Sequence, residues 1–324
     1  MRAFVTGGTG FIGLHVVKEL IADRWDVTVL YRKTSDLSRL DNLDVQLVEG
    51  DIVDQDQMAR ILSQGFDAVF HVAGDVSLWR MKNDLQNQIN IHGTRTLARQ
   101  SLKHEVGRFV HTSSVAVWGL PDGTINERSE KKGPTAPINY MKSKFYGEQE
   151  VLACVQEGLD AVILNPCHVM GPYDEQNWSQ LFTMIHRGQL PGVPPGLGTF
   201  CHVKDVAKAH LQALYKGTQG ECYLLGGSQA SYLDVGREVA ELLQVPAPKQ
   251  LPAWLLAMSG QYAELVSWFT GREPAMTPEK AALLSHDVKV DCTKAINHLD
   301  YEITPVSRIL EESFHWLKHA GYLS

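Results

Sequence analysis

The chain has 324 residues, 44% of them hydrophobic, and a formal net charge of −7. That length supports one large or two unequal domains around a substantial core. The acidic balance, without long runs of one sign, excludes the basic footprint of a nucleic-acid-binding protein and leaves small-molecule chemistry as the expectation.

Five cysteines (Cys154, Cys167, Cys201, Cys222 and Cys292) are odd in number, scattered and never in a C-x-x-C pair, so neither a disulfide framework nor a zinc-thiolate site is indicated. Thirteen histidines form no H-E-x-x-H or comparable ligand spacing, and no metal is expected. The first strand starts at Arg2, which leaves no room ahead of it for a signal peptide. No apolar run is long enough to span a bilayer. A cytoplasmic location and no integral membrane segment are therefore expected.

Arg2-Ala3-Phe4-Val5 reads as a short strand running into Thr6-Gly7-Gly8-Thr9-Gly10-Phe11-Ile12-Gly13, and an amphipathic helix follows with Leu14, Val17, Leu20 and Ile21. Gly7, Gly10 and Gly13 would serve a tight turn, backbone approach to a pyrophosphate and close helix-to-strand contact. The free N–H groups at the helix start, with Thr6, Phe11 and Ile12 around them, then form a phosphate cradle. Strand patterns recur at 27–31, 45–48, 68–72, 108–111 and 161–164, with helical segments at 54–63, 84–103 and 138–157. Repeated strand–helix–strand units predict an α/β fold with a doubly wound parallel sheet, a dinucleotide-binding Rossmann domain over residues 1–165. After residue 165 the alternation breaks down. Residues 166–324 are expected to form a smaller, mostly helical capping domain for substrate, with 200–218 packing back on the first domain.

The second strand ends in Tyr31-Arg32-Lys33-Thr34-Ser35, where an NAD-binding protein usually carries an acid for the ribose diol. A guanidinium instead can grip the 2′-phosphate of NADP, so Arg32 is the main candidate, with Lys33, Ser35 and Arg39 as helpers. Gly50-Asp51-Ile52 follows the third strand. Asp51 could accept from the adenine amino group, with Ile52 beside it, or simply cap a helix or turn. His71-Val72-Ala73-Gly74 ends the fourth strand and should face the glycine turn across the pyrophosphate, through Val72, Ala73 and Gly74. It leads to Asp75 and Trp79, which would border the substrate. Asn90, on the 84–103 helix, reads as a structural hydrogen-bonder.

The fifth strand runs into Thr112-Ser113-Ser114, which places Thr112 toward the cofactor and Ser114 toward the substrate. Tyr140 and Lys144 lie four apart on one face of the next long helix. A phenol titrating near 10 is a poor proton donor at neutrality. An adjacent ammonium and a positively charged oxidised nicotinamide would lower that value and make Tyr140 a usable general acid/base. Ser114 would donate to a substrate carbonyl oxygen, and Lys144 would also hold the nicotinamide ribose. His168, Asn177 and Trp178 open the capping segment as substrate contacts, although a packing role is as natural for His168 and Trp178. The apolar stretch from Leu251 to Phe269 could lie on a membrane surface, but basic residues are missing from its polar side, so a lid or core helix is expected.

The ordered set Thr6 to Gly13, His71-Val72-Ala73-Gly74, Thr112-Ser113-Ser114 and Tyr140 with Lys144 resembles the extended short-chain dehydrogenase/reductase family. The segments 164–172, 200–207, 270–274 and 299–301 extend the resemblance over nearly the whole chain. Arg32, Val76-Ser77-Leu78-Trp79 and Asn165-Pro166 are similar to the dihydroflavonol-reductase-like branch. The resemblance implies that Pro166 through Val169 wrap the nicotinamide end, with the Val169 backbone near the carboxamide. It also implies homodimers formed through the helices at 84–103 and 138–157. Asn165 stands where epimerases carry an arginine, and Trp118 where they carry a tyrosine. The function expected is NADP-dependent reduction of a ketone or aldehyde on a small to medium, partly apolar substrate. The rivals are a nucleotide-sugar epimerase or dehydratase with tightly bound NAD, and a non-catalytic NADP-sensing protein.

Overall fold

The computed structural model describes residues 1–323. Its first half runs β1 (Arg2–Thr6), α1 (Phe11–Ala22), β2 (Asp26–Tyr31), β3 (Val45–Glu49), α2 (Gln55–Leu62), β4 (Ala68–His71), α3 (Asn83–Asn87), α4 (Thr94–Lys103), β5 (Arg108–Thr112), β6 (Thr124–Ile125) and α5 (Asn139–Gln156). The second half runs β7 (Ala161–Pro166), β8 (His168–Met170), α6 (Ser179–His186), β9 (Leu197–His202), α7 (Val203–Lys216), β10 (Cys222–Leu225), β11 (Ser228–Ser231) and α8 (Tyr232–Leu243). It ends with α9 (Ala253–Thr270), α10 (Pro278–Leu284), β12 (Lys289–Val290), α11 (Thr293–Leu299) and α12 (Val306–His319).

Seven strands form one sheet in the order β10-β7-β5-β4-β1-β2-β3, and every pairing in it is parallel. The side-chain period of two explains why both faces are apolar. Ala3, Val5, Val27, Val29, Ala68, Phe70, Val110, Val162 and Leu164 point to one face, where Leu14, Val17 and Leu20 of α1 and Val206, Ala209 and Ala213 of α7 cover them. Their neighbours Phe4, Leu30, Val69, Phe109, Ala161 and Ile163 point to the other, under Met58, Ile61, Leu97 and Val151. The order reverses between β1 and β4, and the ends of those two strands form the crevice where ligands bind in open sheets.

The sheet does not end at residue 165. β10 pairs with β7 from Cys222↔Ile163 to Leu225↔Pro166, and α7 packs on α1, so residues 203–225 complete the nucleotide-binding layer. A four-residue apolar run carries no signal of which strand it joins. Residues 84–103 form α3, a π-helical turn at Gln88–Gly93 and α4, not one regular helix. The remaining chain builds its own core from Phe182, Ile185, Val193, Phe200, Tyr232, Val235, Ile309 and Leu310. The 251–269 stretch is not a core helix: Trp254, Tyr262, Trp268 and Phe269 of α9 are all exposed. No helix among the described residues is long and apolar enough to cross a membrane.

Candidate active site

The glycine turn is shaped by contacts that leave no room for side chains. Gly7 has φ +74°, and a Cβ there would stand 2.6 Å from the Ala73 nitrogen. A Cβ on Gly13 would stand 2.1 Å from the Gly7 carbonyl oxygen. The turns after β1 and β4 thus touch, as the strand order requires. The Thr6 hydroxyl stitches them together, hydrogen-bonded to His71 Nδ1 at 2.8 Å and accepting from Ala73 N–H at 3.3 Å. α1 starts with no capping side chain and no acid in its first turn. Its leading N–H groups are therefore not satisfied by the chain's own side chains, and a dinucleotide pyrophosphate fits that cradle.

Around it the sequence candidates separate. Arg32 and Lys33 are exposed at the end of β2, where the Arg32 N–H donates to Ser35 Oγ at 3.0 Å. Arg39, half-buried, donates to the Tyr173 carbonyl at 3.1 Å and pairs with Glu175. Asp51 does not cap a helix: its Oδ1 accepts from Val53 N–H at 3.1 Å in a local turn, and Asp54 caps α2. Ile52 is buried against Gly93. Pro166 closes β7, and Val169 sits half-buried in β8.

Ser114, Tyr140 and Lys144 come together beside this turn. Ser114 follows β5, its Oγ accepting from Ala116 N–H at 3.1 Å and hydrogen-bonded to the Tyr140 hydroxyl. Lys144, one turn along α5 from Tyr140, is buried and donates to the Thr112 carbonyl at 2.8 Å. Gly74 lies beside it: a Cβ there would stand 3.7 Å from Nζ, an ordinary contact. The Thr112 side chain is engaged elsewhere, hydrogen-bonded to His210 Nε2 at 2.7 Å. The expected lowering of the Tyr140 phenol is reversed in the protein by itself. Burial pushes it above 10 and the nearby Asp75 carboxylate adds to this, while the Ser114 hydrogen bond opposes them. Burial also pulls the Lys144 ammonium down to about 8, against the pull of Glu148.

The sign of the Lys144 shift fixes a pH dependence. Its folded value lies below the ordinary lysine value of 10.5, so below about pH 8 the protein bears the full cost of a buried ammonium. That cost disappears as pH rises toward 10.5. Lys144→Met, which keeps the stem, should therefore melt no lower than the parent at pH 7. At about 1.4 kcal/mol per unit the gain has a ceiling of roughly 3 kcal/mol, reduced by loss of the Thr112 bond. Melting temperatures across pH 6 to 10 check this: any advantage should shrink above pH 8, and one that grows there would contradict it.

Sequence reasoning missed the support behind these residues. Glu148, a further turn along α5, is fully buried; it accepts from Ser113 Oγ at 2.8 Å and Asn165 Nδ2 at 3.0 Å and pairs with Lys131. Asn165 also donates to the Ser114 carbonyl at 3.2 Å. The Tyr140–Lys144–Glu148 spacing of four and four was the available signal. Asn90 is structural, as read from the sequence: its amide donates to the Asp75 carbonyl at 2.8 Å and to Ser143 Oγ at 3.0 Å, and its oxygen accepts from Asp75 N–H at 2.8 Å.

Of the expected substrate contacts, His168 and Trp178 belong to an aromatic cluster with Phe200 and Tyr232, neither foreseen. Ring centroids lie 5.3 Å apart for His168–Trp178, 5.5 Å for His168–Phe200 and 5.8 Å for the stacked Trp178–Tyr232 pair. His168 Nε2 meets the Tyr232 hydroxyl at 3.3 Å, and burial holds the imidazole near 4, so it is neutral at physiological pH. Asn177 is not in this group; it is exposed and its amide donates to Asp174 Oδ1 at 3.1 Å. The Asp75 carboxylate accepts from Ser77 N–H at 2.9 Å. Trp79 is buried, and its indole N–H has no partner among the described residues.

A doubly wound sheet with a glycine cradle at its switch point and a serine, tyrosine and lysine at the neighbouring edge defines an extended short-chain dehydrogenase/reductase enzyme. The chain belongs to the NAD dependent epimerase/dehydratase family, whose model matches residues 3–226. A Synechocystis protein named after dihydroflavonol 4-reductase is 32% identical over 99% of this chain and 95% of its own length. Sterol demethylase protein B of Methylococcus capsulatus is 27% identical over the full length of both. The crystal structure of gox2253 superposes with a TM-score of 0.87 at 30% identity, covering 100% of this chain and 99% of that one. Proteins named as sugar-nucleotide dehydratases and epimerases also match, and some of these folds were solved with NAD bound. The family binds a nicotinamide dinucleotide.

Proposed function

We propose that the protein is an NADP(H)-dependent reductase of ketones or aldehydes on small to medium, partly apolar molecules. The grouping of Ser114, Tyr140 and Lys144 beside the glycine turn carries this reading. When bound, the nicotinamide supplies the hydride. Ser114 donates a hydrogen bond to the substrate carbonyl oxygen and so stabilises the charge that develops there. Tyr140 gives its phenolic proton to that oxygen. Lys144 fixes the nicotinamide ribose and, as an ammonium, favours the phenolate left behind.

The environment supports reduction over sugar-nucleotide chemistry. His168 and Trp178 are half-buried against the buried rings of Phe200 and Tyr232, a cluster with no charged side chain and a neutral imidazole. Asn165, at the epimerase arginine position, is buried and donates to Glu148 and the Ser114 carbonyl. Trp118 is fully buried, with its indole N–H on the Ser129 carbonyl at 3.0 Å.

The NADP preference rests on exposed Arg32 at the end of β2. Arg32→Asp should weaken NADPH binding by about thirtyfold or more through loss of a charge-assisted contact and gain of a repulsive one, and leave NADH within a few-fold. Fluorescence titration of both nucleotides checks this. Equal affinities in the parent, or equal losses in the variant, would contradict it.

A further inference from the structure

α9 is built inside out. A surface helix ordinarily turns its apolar stripe to the core. Here the buried stripe is Leu256, Gly260, Glu264 and Ser267, while Trp254, Met258, Tyr262, Leu265, Trp268 and Phe269 are exposed. The inward seating is specific: a Cβ on Gly260 would stand 2.9 Å from the Thr277 carbonyl carbon, and Glu264 faces Arg80 at 3.7 Å. Phe269 is 86% exposed and Tyr262 71%. With Trp254 and Trp268, these aromatics alone present roughly 500 Å² of ring surface. The apolar face as a whole exceeds the few hundred Å² that a monomer usually leaves open.

Charge decides what such a face fits. The acids of the α9–α10 hairpin are engaged with the 75–82 loop: Glu264 and Glu279 with Arg80, and Glu273 with Lys82 and Ser77. No charged side chain interrupts the outer face. Of the exposed charges that bracket the helix, Glu273 is paired with Lys82, and the other two, Lys249 and Arg272, are both basic. A second copy seated on this face would bring basic ends against basic ends in either the parallel or the antiparallel pairing, with no acid on the face to compensate. We propose that α9 seats the protein on an anionic lipid bilayer, its aromatics at the headgroup–acyl boundary and Lys249 and Arg272 at the phosphates.

The same hairpin reaches the site. Thr277 of the turn into α10 donates to the Leu78 carbonyl at 2.7 Å, and Leu283 of α10 packs against the same Ala116, Ala136, Ile138 and Met141 cluster as Leu78 and Tyr140. An apolar carbonyl compound dissolved in the bilayer is then the substrate class delivered to Tyr140, a consequence that rests on the reductase reading. The docking itself does not.

Flotation of the full chain with vesicles tests the docking without reference to turnover. It should float with phosphatidylcholine–phosphatidylglycerol vesicles and weakly with phosphatidylcholine alone. Neutralising Lys249 or Arg272 should weaken binding roughly fivefold each. Trp268→Ser with Phe269→Ser should weaken it about tenfold or more, with an unchanged melting temperature. Quenching of the parent's tryptophan fluorescence by brominated lipid gives a readout that needs no variant. Failure to float with unquenched tryptophans overturns the proposal. So does sedimentation showing that the face instead holds a dimer, which the double serine variant dissolves.

Discussion

Tyr140→Phe is expected to lower kcat about 10³-fold while leaving the fold and nucleotide affinity in place. The substitution removes one oxygen atom. The ring keeps its packing against the Ala116, Ala136, Ile138 and Met141 cluster. The Ser114 hydroxyl loses one partner but retains Ala116 N–H. What disappears is the proton donor, and positioned proton transfer contributes about 10²- to 10⁴-fold. Burial and Asp75 hold the phenol protonated across neutral pH, which is the form that reduction consumes. Lost nucleotide binding would mean that Tyr140 is structural. Unchanged turnover on a confirmed substrate would mean that the proton comes from elsewhere.

The second large effect is on stability. Glu148→Ala should cost roughly 3–5 kcal/mol, the range for removing one partner of a buried ion pair. Glu148 is fully buried; its loss takes the carboxylate partner from Lys131 and Ser113 Oγ and one of two acceptors from Asn165 Nδ2. The melting temperature should fall by roughly 4–8 °C. Adding Lys131→Met should recover part of that loss, because the stranded ammonium is then gone. Similar melting for Glu148→Ala and the parent would show that the network contributes little. If the double variant is no better than Glu148→Ala, the cost arises from Ser113 and Asn165.

How much of this was legible in the sequence follows from the range of each signal. Local periodicity placed the first six strands of the sheet and the glycine turn, because a parallel sheet buried on both faces is written in apolar runs. Tyr140 and Lys144 were legible because four residues bring side chains together on any helix. The contribution of Cys222–Leu225 to the sheet was not, since the partner strand lies some sixty residues away. Phe200 and Tyr232 escaped for the same reason: ring packing between distant segments leaves no local pattern. The face that α9 turns inward was hidden too. Composition marks the helix as apolar, but only Arg80 and Thr277, packed against Glu264 and Gly260, show that its polar stripe is the buried one. The direction of the Tyr140 shift depended on burial, which sequence spacing does not report.

The most direct test follows a label. The enzyme is given NADPH carrying deuterium at the transferable C4 position together with a panel of apolar ketones and aldehydes, and released products are analysed by mass spectrometry. Net reduction by this site predicts one deuterium on the former carbonyl carbon of the product, with stoichiometric NADP⁺ released. A product that carries no label, with the nucleotide returned unchanged after substrate conversion, would contradict it.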